Sequence, residues 1–188
     1  MKVLVAGSAR HAHLKREDVE TLFGKGFQLS NKRDLNQPGE FLTNEKVTLV
    51  GKRGKIENVS ILGPERKATQ VEISLTDARV LGVQAPIRLS GDNAGSAPVR
   101  IEGPAGSVDL TEGCVIAKRH LHVIPEDAEK MGLAGRETVQ VKVGGERGLI
   151  FDEVSVRVHS NFFTEVHLDY DEMNAAGLSG EVYGELIL

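Results

Sequence analysis

The strongest constraint on this chain is that it runs through one pattern twice. Each run has an apolar stretch, a His-x-His pair, a short helix closed by glycine, a hairpin, a further strand and a second glycine-closed helix. The first pair lies in Ser8-Ala9-Arg10-His11-Ala12-His13-Leu14, behind Val3-Leu4-Val5-Ala6. The second lies in Lys118-Arg119-His120-Leu121-His122-Val123, behind Val115-Ile116-Ala117. Further along, Thr69-Gln70-Val71-Glu72-Ile73 answers to Thr164-Glu165-Val166-His167-Leu168. Gly51-Lys52-Arg53-Gly54-Lys55-Ile56 likewise answers to Gly145-Glu146-Arg147-Gly148-Leu149-Ile150. Self-similarity of this kind means one supersecondary unit built twice. The first run carries a long insertion after its first helix.

The elements between turn signals are short. Residues 15–23 read as a helix, with Val19, Leu22 and Phe23 on one face and Gly24 suited to its C-terminal cap. A short strand is expected at Phe27-Gln28-Leu29. A hairpin follows over 46–50 and 55–62, then a strand over 69–74 and a helix from Thr76 or Asp77 to Leu81, closed by Gly82. Short strands are expected at 86–89, 99–102 and 107–110, and residues 114–123 form a strand that carries the second histidine pair. Pro125 opens a helix closed by Gly132. A second hairpin over 139–143 and 149–158 leads to a strand over 164–168, a helix over 169–176 closed by Gly177, and a last strand over 181–188. Many short strands at this spacing argue for sandwiches or barrels.

Composition narrows the function classes. The net charge of −4 disfavours a nucleic-acid binder, which needs a basic face. No apolar run approaches the ~18 residues of a membrane span, and no signal-peptide pattern opens the chain. A single cysteine forms no internal disulfide, which fits a reducing compartment. The expectation is a soluble cytoplasmic protein, or one enclosed with other cytosolic proteins.

Chemistry concentrates on the histidines, four of six lying in the two pairs. On a strand, alternate side chains share a face, so each pair projects two imidazoles together. With the aligned Glu72 and His167, six candidates make two three-ligand sets: His11, His13, Glu72, His120, His122 and His167. Three ligands and an open position is the pattern of catalytic zinc, with cobalt, nickel or iron as substitutes. A lone His-x-His is as readily an ordinary surface or core feature, but two at matching places weigh against that. His159 lies outside the pattern and reads as a solvated strand residue. Cys114, in an apolar strand, reads as a small buried side chain. Arg66 is suited to hold phosphate or carboxylate through its planar fork, though on these residues alone it reads first as a solvated loop charge. Ser8 could donate to an oxyanion, and Arg10 is expected on the opposite face from His11. Gly144-Gly145-Glu146-Arg147-Gly148 lacks the lysine and hydroxyl of a nucleotide loop and reads as a hairpin turn.

An ordered set of motifs resembles the PduL-type phosphotransacylases, or phosphate propanoyltransferases. It comprises Ser8 to Leu14, Gly63-Pro64-Glu65-Arg66, Thr69 to Ser74, Arg88-Leu89-Ser90-Gly91-Asp92, Arg119-His120-Leu121-His122, Gly144 to Leu149 and Val166-His167-Leu168-Asp169. The resemblance spans nearly the whole chain. It implies a mainly β fold of two small antiparallel β-barrels capped by short helices, arising from an internal duplication. It implies an acyltransferase that moves a propanoyl or acetyl group between coenzyme A and inorganic phosphate, using two zinc ions or other divalent metals. Metal-ligand roles then fall to the six residues above, and phosphate contact to Arg66 and Ser8. The residues for the adenine end of coenzyme A stay unassigned, and a homo-oligomer is compatible. Ala12 departs from the β-branched residue expected between the first histidines. Family members of bacterial microcompartments, as in propanediol degradation, carry an amphipathic N-terminal extension; this sequence begins almost at its first strand, so by this signal encapsulation is not expected, and the propanoyl or acetyl preference stays open.

Domain layout and ligand grouping are a separate expectation. A simple duplication would give each half its own site. The first strand, ending near Ala9, has no evident partner in the first half, whereas 118–188 reads as a set of strands it could complete. The domains expected are therefore 10–117, and 1–9 with 118–188. Each His-x-His would then face the third ligand of the other half: His11, His13 and His167 in one site, Glu72, His120 and His122 in the other, close enough to share a substrate. The resemblance points the same way. Two other functions stay in view, a non-catalytic zinc-binding β-barrel module and a two-metal phosphoester hydrolase. With phosphate as nucleophile no side-chain nucleophile is needed, which favours direct transfer.

Overall fold

The structure is a computed structural model that describes residues 1–188. In chain order it has strands β1 (Lys2–Ser8) and β2 (His11–His13), helix α1 (Arg16–Phe23), strands β3 (Asn31–Asp34), β4 (Phe41–Val50), β5 (Lys55–Gly63) and β6 (Gln70–Ile73), and helix α2 (Leu75–Leu81). Strands β7 (Ile87–Arg88), β8 (Ala97–Glu102), β9 (Ser107–Ala117) and β10 (His120–Val123) follow, then helix α3 (Pro125–Lys130). Strands β11 (Thr138–Val143), β12 (Leu149–Val158) and β13 (Glu165–Asp169), helix α4 (Tyr170–Ala175) and strand β14 (Val182–Ile187) complete the chain. No helix is long and apolar enough to cross a membrane.

Two compact units result, Arg10–Ala117 and Met1–Ala9 with Lys118–Leu188. In the second, β1-β13-β10-β12-β11-β14 closes into a six-stranded barrel. In the first, β4-β5-β2-β6-β9 is closed by β8, which pairs with both β4 and β9, while β3 and β7 extend the sheet beyond the ring. The fold is mainly β, and the two rings are the same ring. The His-x-His strand is parallel to β5 in one and to β12 in the other, and antiparallel to β6 or β13. β9 runs parallel to β6 as β1 runs parallel to β13. β1 and β9 are thus equivalent, each the strand just before a His-x-His pair.

Neither histidine pair continues the strand before it. β1 ends at Ser8 and β2 begins at His11, while β9 ends at Ala117 and β10 begins at His120. The expected unbroken strand over 114–123 is therefore two strands. The expected strand at residues 27–29 is absent as well. Phe27 and Leu29 both pack against the barrel core, and Phe27 stacks on Phe23 with centroids 5.1 Å apart. The two side chains share a side with Gln28 exposed between them, as in a strand, but the Phe27 N–H turns back to the Gly24 carbonyl and no ladder forms; the nearby strand is instead the exposed β3.

Each barrel encloses its own core. Ala12, Leu14, Val71, Ile73, Cys114 and Ile116 belong to one, Val5, Leu121, Val123, Val166 and Leu168 to the other. The residue between each pair of histidines therefore points inward, and the histidines point outward. Ala12 and Leu121 are both fully buried, so the departure at Ala12 is a matter of core packing. Leu121→Ala should cost about 2–5 kcal/mol by opening a cavity in a closed ring. The check is denaturant unfolding of the full chain, where the transition of residues 118–188 should shift to lower denaturant.

Candidate active site and metal centres

The outward face of each His-x-His strand carries a convergent group. His11 pairs with Glu72 across β2 and β6, and His120 with His167 across β10 and β13. Two clusters result, His11, His13 and Glu72 in one, His120, His122 and His167 in the other, each with its ligand-competent atoms within 4.8 Å of one another. This corrects the crossed grouping expected above. Only the strand before each break joins the other half's barrel; the histidines lie after the break, and backbone register ties them to the third side chain of their own half.

These groups face away from their barrel cores and are still buried, His11, His13, Glu72, His120 and His122 being 2–8% exposed. His11 Nε2 approaches His13 Nε2 to 3.2 Å, and Glu72 Oε2 lies 3.7 Å from His11 Nε2. A tetrahedral zinc ion with bonds of about 2.0–2.1 Å holds two nitrogen ligands about 3.3 Å apart, so the imidazole pair is spaced as such an ion would need. Burial, then the neighbouring His11 and Arg66, holds His13 well below the ordinary imidazole range. Burial, then His120, His167 and Arg157, pushes His122 down to about 2. Both are therefore neutral near pH 7, the form that donates an electron pair to a metal. His120 Nδ1 lies 2.8 Å from the Lys118 carbonyl; donating there, it leaves Nε2 as the donor atom. The donor sets fit borderline divalent cations.

The scaffold around the two groups is duplicated in detail. Thr69 Oγ1 donates to Asp18 Oδ2 (2.5 Å) and accepts from the Lys15 N–H (3.0 Å). Thr164 Oγ1 donates to Asp127 Oδ2 (2.6 Å) and accepts from the Ile124 N–H (3.4 Å). Each threonine thus fastens the ligand strand β6 or β13 to the first turn of the helix that follows the histidines. Ser74 and Asp169 cap α2 and α4 in capping boxes with Asp77 and Glu172. The arginine before each histidine pair then binds that box's acid: Arg10 Nε to Asp77 Oδ1 at 2.9 Å, Arg119 Nε to Glu172 Oε1 at 2.7 Å. Arg10, expected on the face opposite His11, lies in the break before β2, and its guanidinium reaches the α2 cap. It ties the start of β2 to the helix after β6.

Arg66 belongs to the unit of His11, His13 and Glu72. Its N–H donates to the carbonyl of Leu14, the residue after His13. Its guanidinium donates to Glu40 Oε1 (2.8 Å) and Ser90 Oγ (3.1 Å), and its side chain is a third exposed. Ser8 lies in the other unit. Its strand register, Ala6 beside His167 and Ser8 beside Asp169, puts it on the face that carries His167. His159 is exposed and accepts from the Asn161 N–H through Nδ1. Cys114 is fully buried, and burial pushes its thiol up to about 12.

Several residues at the groups carried no signal of their own in the sequence. Gln70 donates to Glu72 Oε1 (3.1 Å) and accepts from the Gly91 N–H (2.8 Å). Glu165, its counterpart in the repeat, lies 2.8 Å from His167 Nε2. Both stand two residues before the third member of their group, on its face, and that period-two rule could have found them. Arg157 Nη1 lies 3.5 Å from His122 Nε2, and Phe162 stacks on the His122 ring at 4.1 Å. Phe162 comes from a loop, where no periodicity marks it.

The phosphate propanoyltransferase family profile matches residues 4–179. A phosphate propanoyltransferase of Listeria monocytogenes is 50% identical over 98% of this chain and 87% of its own length. One from Lachnoclostridium phytofermentans is 53% identical over 94% of this chain and 83% of its own, and one from Thermotoga maritima is 51% identical over 94% and 85%. All eight residues singled out above, the six ligand candidates with Ser8 and Arg66, fall inside the matched span. The chain belongs to the phosphate propanoyltransferase family and is an acyltransferase.

Proposed function

We propose that this enzyme transfers a short acyl group, propanoyl or acetyl, between coenzyme A and inorganic phosphate, with a divalent metal, zinc first, held by each histidine group. The observation that carries the reading is the double occurrence of three converging ligand side chains, five of the six buried, in a chain half identical to phosphate propanoyltransferases. Bound at these groups, divalent cations supply Lewis-acid polarisation and charge neutralisation for a thioester carbonyl and a phosphate.

The residues divide the remaining work. His11, His13 and Glu72 form a group with one carboxylate, and Arg66 stands tethered beside its histidine strand. A guanidinium offers two parallel donors to phosphate oxygens, so Arg66 holds the dianion. His120, His122 and His167 offer imidazole nitrogens and no carboxylate, so a cation held there would keep its full charge for an oxyanion developing on the carbonyl. Ser8, on the His167 face, can donate a hydroxyl proton to that oxygen. Phosphate attacks the thioester carbon directly and the C–S bond breaks, coenzyme A leaving as its thiolate: Cys114 is enclosed in a core as a neutral thiol, and Asp169, beside Ser8, is committed to capping α4.

Free thiol release from propanoyl-CoA or acetyl-CoA should require both phosphate and the metal. Removal of metal with a chelator should abolish it, and added zinc or cobalt should restore it. Thiol release unchanged when phosphate is omitted would mark a thioesterase. Metal binding with no turnover would leave a zinc-binding module.

A further inference from the structure

Glu165 stands two residues before His167 on β13, on the same face, and is 2% exposed. Its Oε1 lies 2.8 Å from His167 Nε2. When Glu165 is ionised its carboxylate only accepts hydrogen bonds, so Nε2 then carries the ring proton and Nδ1 becomes the electron-pair donor. The corresponding residue of the other unit is Gln70, whose amide N–H donates to Glu72. The two positions perform one task with opposite polarity. An amide donor steadies a carboxylate in one unit, and a carboxylate acceptor steadies an imidazole in the other. Each group then has one carboxylate: Glu72 as a direct member of the first, Glu165 behind His167 in the second.

We propose that Glu165 is the positioning residue of the three-histidine group. It fixes His167 in the Nε2–H tautomer and supplies the negative charge that this group lacks among its ligands. The inference rests on the reading that the group holds a divalent cation, and it deepens that reading. A carboxylate behind a metal-bound histidine raises the ring's basicity as well as orienting it, and its loss typically costs 10–100-fold in metal affinity.

Two measurements on the full chain test this. In metal-free protein, long-range proton–nitrogen NMR should show His167 as the Nε2–H tautomer, retained in Glu165→Gln and mixed in Glu165→Ala. In competition with a chelator for cobalt(II), Glu165→Ala should weaken one of two sites by about 10–100-fold and leave the other unchanged. Glu165→Gln, which keeps size and acceptor but loses the charge, should fall between. An unchanged tautomer in Glu165→Ala, or unchanged cobalt affinity at both sites, overturns the proposal. Wild-type protein that takes up no cobalt refutes the metal reading itself, and the tautomer measurement then still decides whether Glu165 orients His167.

Discussion

The Glu72→Ala enzyme should retain one metal ion per chain, and His167→Ala should retain the other. Each substitution removes one of three ligands from its group. The loss should exceed the roughly 10–100-fold that even an outer partner is worth, while the second group keeps its whole donor set. Double variants make the test decisive, because they read which residues share an ion. His11 and Glu72 converge in one unit, so His11→Ala with Glu72→Ala should hold as much metal as either alone. Glu72→Ala with His120→Ala should hold none. The crossed grouping of Glu72 with His120 and His122 requires the reverse, one ion lost in the second double variant and two in the first. Metal analysis after dialysis against a weak chelator distinguishes the outcomes. Turnover should fall by orders of magnitude in every variant, so activity alone would not.

That the crossed grouping could be expected at all shows where sequence reasoning lost hold. The histidines, Glu72 and the repeat are local patterns, each set by a period of two or by residues adjacent in the chain. The mainly β character and the helix-closing glycines are local too, as Gly82 shows with its left-handed φ of 70° at the end of α2. Which strand lies beside which is not local. The break at Ala9 and Arg10 spans two residues between β1 and β2 and has no marker of its own. Placed there, it separates β1 from the histidines; placed after His13, it would have carried them along. The paired residues Arg10–Asp77 and Arg119–Glu172 are the physical reason for its position. Each arginine is held by the helix cap that follows its own half's ligand strand. Such a contact joins residues 67 apart in the first half, a distance that no periodicity reaches. Gln70 and Glu165 were within reach of the period of two, but Phe162 stayed unmarked for a related reason: its partner His122 is defined only once the loop that follows β12 has been placed.

The second large effect belongs to Arg66. Arg66→Ala should lower kcat/KM for phosphate by about 10–150-fold, the equivalent of the 1.5–3 kcal/mol typical of hydrogen bonds to charged groups. KM for the acyl-CoA should change little, because the guanidinium is assigned to the dianion and not to the thioester. Arg66→Lys should recover only part of the loss. An ammonium keeps the charge but cannot hold Glu40 and Ser90 with one planar fork and still offer parallel donors to phosphate. Glu40 sharpens the test, since its carboxylate occupies part of the fork at 2.8 Å. If phosphate must compete with that carboxylate, Glu40→Gln should lower KM for phosphate while Arg66→Ala raises it. If Arg66 serves only to fasten residues 40 and 90 to the end of the histidine strand, both substitutions should lower the melting temperature and neither should alter phosphate dependence. Steady-state kinetics with phosphate varied at saturating acyl-CoA, beside a melting curve for each variant, separates a phosphate-binding arginine from a structural tether.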